Sequence, residues 1–139
     1  MEDTASNFAK QLLISRGLKQ TTSRVSIIAT IKSYEGAIPY SVLQDVVKAD
    51  RSTLYRTLNI LIDEGLIHKA KSTSQETYYA VCGKECSSKA HIHQHIHFQC
   101  KTCHKVSCEQ LKEDITLSLP NHLIESIDIT IQGVCRGCL

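Results

Sequence analysis

His91-Ile92-His93-Gln94-His95-Ile96-His97-Phe98-Gln99-Cys100-Lys101-Thr102-Cys103 packs four histidines and two cysteines into thirteen residues. A strand sends successive side chains to opposite faces, so His91, His93, His95 and His97 share one face while Ile92, Ile96 and Phe98 share the other. One face packs; the other offers metal donors. Near the far end of the chain, Cys135-Arg136-Gly137-Cys138 repeats the spacing of Cys100 and Cys103 after a gap of 31 residues. Each Cys-x-x-Cys is a tight knuckle that aims two thiolates at one point. Two knuckles complete the tetrahedral four-cysteine shell that zinc accepts, one ion per chain. So long a gap calls for intervening structure, a short sheet with a helix, to bring the knuckles together. The competing reading is two unrelated pairs, either buried thiols or a redox dithiol. A disulfide framework is disfavoured, because seven cysteines is an odd number and the first residues show no signal-peptide pattern.

Geometry limits how the histidines can be shared. Same-face neighbours on a strand are roughly 6.6–6.8 Å apart, whereas a zinc–nitrogen bond is about 2.1 Å, so one ion cannot hold all four. His95 and His97 can meet on one metal, leaving His91 and His93 to a second site or none. His68 and His104 read as surface residues, and His122, after Pro120, is a somewhat stronger ligand candidate.

Composition bounds the rest. With 139 residues and 42% hydrophobic content, the chain can bury a core divided between two small lobes. The net charge of +2 is spread as 10 basic against 8 acidic residues over 1–81 and 6 against 6 afterwards, too weak an excess to prove nucleic-acid binding. No apolar run approaches the length of a membrane span. Cysteine usage and the missing targeting pattern point to a reducing cytoplasm.

The first half reads as helices. Phe8, Leu12 and Leu13 recur at helical spacing until Gly17, a residue suited to the left-handed end of a helix. Thr21 or Thr22 caps a second helix with Val25, Ile28 and Ile31 inward, broken at Glu35-Gly36. Pro39 and Ser41 start a third, with Leu43, Val46 and Val47 inward. Asp50 or Ser52 caps a fourth, where Leu54, Leu58, Leu61 and Ile62 lie inward until Gly65. Its outward face carries Arg51, Ser52, Thr53, Tyr55, Arg56 and Asn59. Such a pair of helices reads as a helix-turn-helix with its recognition helix. Residues 66–71 and 76–81 then form a hairpin around Ser72-Thr73-Ser74-Gln75, which makes the unit a winged helix. Together with Lys19 and Arg24, that face supplies side chains for phosphates and base edges. An amphipathic helix with a merely solvated face predicts the same core.

Four motifs in order resemble the ferric uptake regulator (Fur) superfamily, and the cysteines upstream of the histidine pair lean that resemblance toward its zinc-sensing branch. The motifs are Leu18-x-x-Thr21-x-x-Arg24; Ser52-Thr53-Leu54-Tyr55-Arg56-Thr57-Leu58 with Gly65-Leu66-Ile67; His95-x-His97-x-x-Cys100-x-x-Cys103; and Gly133-x-Cys135-x-x-Cys138. The resemblance implies an α+β chain: a winged-helix DNA-binding domain over 1–81, a hinge over 82–89, and an α/β metal-binding dimerisation domain over 90–139. It implies a structural zinc at Cys100, Cys103, Cys135 and Cys138, and a second, regulatory divalent metal at the hinge.

For that second metal the chain matches only part of the family's set. His95 and His97 fit the histidine pair. Ile38 stands where many iron- and peroxide-sensing members carry a histidine, Tyr79 where an acidic donor is expected, and Cys108, beside Glu109, where another acidic residue is usual. The segment between wing and histidine pair carries Cys82, Cys86, His91 and His93. Sulfur in place of lost oxygen donors favours Zn2+ over Fe2+ or Mn2+. The expectation is a metal-dependent repressor that binds double-stranded operator DNA as a homodimer, with no membrane and no small-molecule substrate. The alternatives are an iron- or peroxide-responsive regulator of the same kind, or a metal buffer that does not bind DNA. An enzyme is disfavoured, because no zinc-hydrolase, deaminase, serine-elbow or phosphate-loop motif is present.

Overall fold

The computed structural model describes residues 2–73, 75–81, 95–113, 116–125, 127 and 129–139. Helix α1 (Glu2–Ser15) starts earlier than its apolar spacing indicates, and it buries Ala9 and Leu13 completely. It ends as read: Gly17 takes φ +67°, its N–H donates to the Ile14 carbonyl, and the Leu18 N–H donates to that of Leu13. Thr21, in extended conformation, accepts the Arg24 N–H at 3.2 Å through Oγ1 and so caps α2 (Thr22–Ser33). Ile27, Ile28 and Ile31 of α2 are buried and Val25 is half-buried.

The short strand β1 (Ile38–Pro39) leads into α3 (Tyr40–Val47), and Asp50 stands at the N-cap position of α4 (Arg51–Asp63). Leu43, Leu54, Leu58 and Leu61 are buried to within 1%, and each such side chain is worth about 1.5–3 kcal/mol on leaving water. Val46, expected inward, is instead 55% exposed. At eight residues α3 turns only a narrow stripe inward, and Leu43 with half-buried Val42 and Val47 fills it. Gly65 closes α4 as Gly17 closes α1, at φ +74° with the Leu66 N–H on the Leu61 carbonyl at 2.9 Å.

Strands β2 (Ile67–Ser72) and β3 (Thr77–Val81) form the expected hairpin, with a bulge between Lys69 and Lys71. β1 pairs with β3, giving a sheet in the order β1-β3-β2, a strand that the local pattern did not reveal. Two residues are too few for any periodicity to register. At the turn, Glu76 accepts from Ser41 N–H and Oγ at 3.1 and 2.9 Å, tying the wing to the start of α3.

The second sheet has the order β5-β4-β6: β4 (His95–Cys100) pairs antiparallel with β5 (Val106–Gln110) and parallel with β6 (Thr130–Gly133). A 3-10 turn, Arg136–Cys138, follows β6. The helix expected between the knuckles is not found among the described residues, where the sheet alone does the joining. The sheets meet along a small apolar cluster of Ala37, Ala70, Ala80 and Val106 with Tyr78 against it, alongside a Lys71–Gln99 hydrogen bond and a Glu35–Lys105 ion pair. No helix among the described residues is long and apolar enough to cross a membrane.

Candidate metal centres and nucleic-acid face

β4 and β6 run parallel in the register Cys100↔Gly133, so both strands deliver the chain to the same end of the sheet. There β4 turns into Cys100-x-x-Cys103 and β6 runs into Cys135-x-x-Cys138. That pairing is what spans the 31-residue gap. His104 adopts φ +66° to close the first knuckle, with its N–H on the Cys100 carbonyl at 2.9 Å, and the Lys101 N–H on the Gly133 carbonyl at 2.8 Å joins the knuckles. The four sulfurs lie within 4.8 Å of one another.

Their chemistry fits zinc. Sulfurs about 2.3 Å from one tetrahedral ion lie about 3.8 Å apart, and Cys103 Sγ and Cys135 Sγ are separated by 3.8 Å, far beyond disulfide length. Buried Cys100 Sγ accepts the N–H groups of Thr102, Cys103 and Cys135, each at 3.4 Å. Those of Cys103 and then Cys135 do most to draw its pKa down to about 5, which favours the thiolate that a metal requires. Cys138 moves the other way, to about 12, chiefly through its contact with Cys135 and then Cys100: sulfurs this close cannot all ionise without a cation among them.

A second cluster spans the two sheets. The register His97↔Cys108 puts these two side by side on one face of β4 and β5, and His68 reaches them from β2. His68 Nε2 is 3.2 Å from His97 Nε2 and 3.6 Å from Cys108 Sγ. Two nitrogens on one tetrahedral zinc would be about 3.4 Å apart, and a nitrogen and a sulfur about 3.6 Å. His68 and His97 are each only 6% exposed. Cys108 as a residue stays exposed, but partial burial at the sheet contact pushes its thiol up to about 11, and Glu109 adds to the shift.

His68 overturns its reading as a surface residue. A lone histidine beside Lys69 carries no motif, and the only local signal was its strand parity with apolar Leu66 and Ala70. His104, by contrast, is exposed as read. Of the other expected ligands, Glu109 pairs with Ile96 and so falls on the opposite face, where it accepts from Ser107 Oγ at 3.1 Å. His95 pairs with Gln110 through its backbone; its side chain, and all of Cys82, Cys86, His91 and His93, lie outside the described residues. Ile38 and Tyr79, at the positions lacking donors, face each other in the ladder and are buried to 0% and 2%. Core packing occupies those positions. Burial there raises the Tyr79 hydroxyl to about 12.

On α4, Arg51, Ser52, Tyr55, Arg56 and Asn59 are exposed and Thr53 is half-buried, all away from the core. The Tyr55 ring stacks on Tyr40 of α3, with centroids 5.1 Å apart. Lys19 is exposed, and its carbonyl accepts from Arg24 Nη1 at 3.1 Å, which steers the half-buried Arg24 side chain along the surface.

Comparison with known proteins adds four likenesses. The ferric uptake regulator family matches residues 15–132. The zinc uptake regulation protein of Escherichia coli K12 is 25% identical over 146 aligned positions, covering 94% of this chain and 79% of the relative. Two solved structures share the fold. One is described as a zinc uptake regulator complexed with zinc and DNA (21% identity, TM-score 0.72, 99% of this chain and 95% of that one); the other is holo XcZur (19%, 0.69, 99% and 98%).

Proposed function

Because the chain belongs to the ferric uptake regulator family, whose members regulate transcription and are not enzymes, we propose that it is a zinc-dependent repressor binding operator DNA as a homodimer. The observation that carries this reading is the convergence of His68 from the winged-helix lobe with His97 and Cys108 from the other lobe. Two imidazoles and a thiol suit zinc better than ferrous iron or manganese, and a zinc-regulating relative supports the same choice. When bound there, a divalent ion supplies a cross-link between the lobes and the charge that keeps Cys108 ionised. With those side chains engaged, β2 is fixed against β4 and β5, and α4 is fixed with it. Cys100, Cys103, Cys135 and Cys138 would hold the structural zinc.

On this reading residues 1–81 bind DNA, 82–89 form the hinge and 90–139 bind metal and dimerise. Cys82, Cys86, His91, His93 and His95 stand as further donors to the regulatory metal. Arg51, Ser52, Thr53, Tyr55, Arg56 and Asn59, with Lys19 and Arg24, face the duplex. Similarity to a structure holding both zinc and DNA supports that face. Leu117, Leu119, Leu123 and Ile127 are each more than half exposed, apolar area suited to a second copy. Action on DNA fits a cytoplasmic site.

The test is metal analysis of the full chain with selection from a random duplex pool in zinc, ferrous and manganous forms. Two zinc ions per chain and a palindromic element selected by the zinc form are expected. A zinc form that retains no duplex would make the protein a metal buffer, and selection only by the ferrous or manganous form would replace zinc as the signal.

A further inference from the structure

The turn between α2 and β1 lies directly on the second lobe. Gly36 sits there at φ +83°, and a Cβ built on it would meet the Val106 carbonyl oxygen at 2.5 Å, with Lys105 Cγ at 3.4 Å. The next residue, Ala37, is 2% exposed and donates its N–H to that same oxygen at 2.7 Å. This is a backbone-on-backbone contact that only glycine permits.

The contact is wired to both halves of the interlobe cluster. On one side, Ile38 pairs with Tyr79 of β3, and the neighbouring Ala80 pairs with His68. On the other, Val106 opens β5, two residues before Cys108 and on the same face, while Cys108 pairs with His97. Moving Val106 away from Gly36 therefore moves Cys108 and His97 away from His68. To reach an ordinary 3.4 Å contact, a Cβ at position 36 must open this joint by nearly 1 Å, whereas metal–ligand distances tolerate only about 0.2 Å.

We infer that Gly36 is a positioning residue for the interlobe site: the missing side chain lets the 36–37 turn seat on Val106 and sets the separation of His68 from Cys108 and His97. The inference rests on the reading of that cluster as a metal site. Gly17 supplies the control, since it has a similar φ of +67° but nothing within 4 Å of its built Cβ. Alanine at either position strains the backbone, and only alanine at 36 collides.

The experiment uses the full chain with its four-cysteine site loaded with zinc. Cobalt(II) is titrated into the second site, read by its thiolate charge-transfer and d–d bands, and exchange of the Ala37 amide is followed without added cobalt. Gly36→Ala is expected to weaken cobalt binding at least tenfold and to expose the Ala37 amide, while Gly17→Ala leaves both as in the parent. Gly36→Asn, which tolerates positive φ but still carries a Cβ, reproduces the loss if Gly36→Ala folds poorly. Parental cobalt affinity in both Gly36 variants would overturn the inference. Should the parent take up no second metal, the metal reading falls, and amide exchange decides the rest: an Ala37 amide still protected in Gly36→Asn overturns the seating role, and an exposed one upholds it.

Discussion

The four-cysteine cluster takes its ligands from one end of one sheet, whereas the His68–His97–Cys108 cluster takes them from two different sheets. The first is assembled by knuckles whose turns position two sulfurs each, and by a parallel strand pair that brings the knuckles to one place. The second exists only while the lobes are docked, held by a small alanine-lined contact, the Ala37–Val106 backbone and Lys71–Gln99 side-chain hydrogen bonds and an exposed ion pair. Surface pairs such as Glu35–Lys105 contribute little, so ligation at the cluster would add substantially to the docking. A centre built within one sheet suits structure, and a centre built between sheets suits a switch.

The largest effect that could break this contrast is removal of a structural thiol. Zinc binding in small motifs is worth on the order of 10–16 kcal/mol, comparable with the roughly 5–15 kcal/mol that stabilises a whole domain. Cys100→Ser is expected to lose one zinc per chain and the cooperative unfolding of the second sheet, read by metal analysis and calorimetry. A folded variant without that zinc would remove the distinction between the clusters.

Next comes the interlobe cluster. His68→Ala and His97→Ala are each expected to keep the four-cysteine zinc and the melting of both lobes, yet lose the second metal and the metal-dependent gain in duplex affinity. Allosteric couplings run typically about 5–150-fold, and by reciprocity the duplex should tighten metal binding by the same factor. Normal switching in His68→Ala would transfer the regulatory role to donors beyond the described residues. Cys108→Asp sharpens the point, because an oxygen donor should narrow the preference for zinc over manganese in competition titrations.

A smaller effect is expected on the exposed α4 face proposed to meet DNA. Arg56→Ala should leave both metals in place and reduce the slope of log affinity against log salt by about 0.9, the loss of one phosphate contact. An unchanged slope would take Arg56 off the interface.

The smallest concerns pH. Tyr79 is neutral and buried, with its pKa raised from 10 to about 12, so the folded state prefers the protonated hydroxyl. Its contribution is therefore complete below about pH 10 and is lost as pH climbs from 10 towards 12. In denaturant titrations Tyr79→Phe should flatten that decline for the winged-helix lobe and leave the four-cysteine sheet unaffected.

What the sequence determined by itself was everything set by local spacing. The stops at Gly17 and Gly65, a threonine cap at 21 or 22, the inward leucines of α4 and the two cysteine knuckles each depend on residues within a turn or two of one another, where periodicity and capping chemistry act directly. Tertiary structure alone decided β1, the exposure of Val46 and the partner of His97. The alternation in 91–97 pointed to His95 and His97 sharing a metal, a pairing on which the described side chains do not bear, and the close approach seen at His97 came from His68, 29 residues away, through the packing of one sheet on another. No window of sequence contains that contact, because it forms only where a strand of one sheet packs against the other.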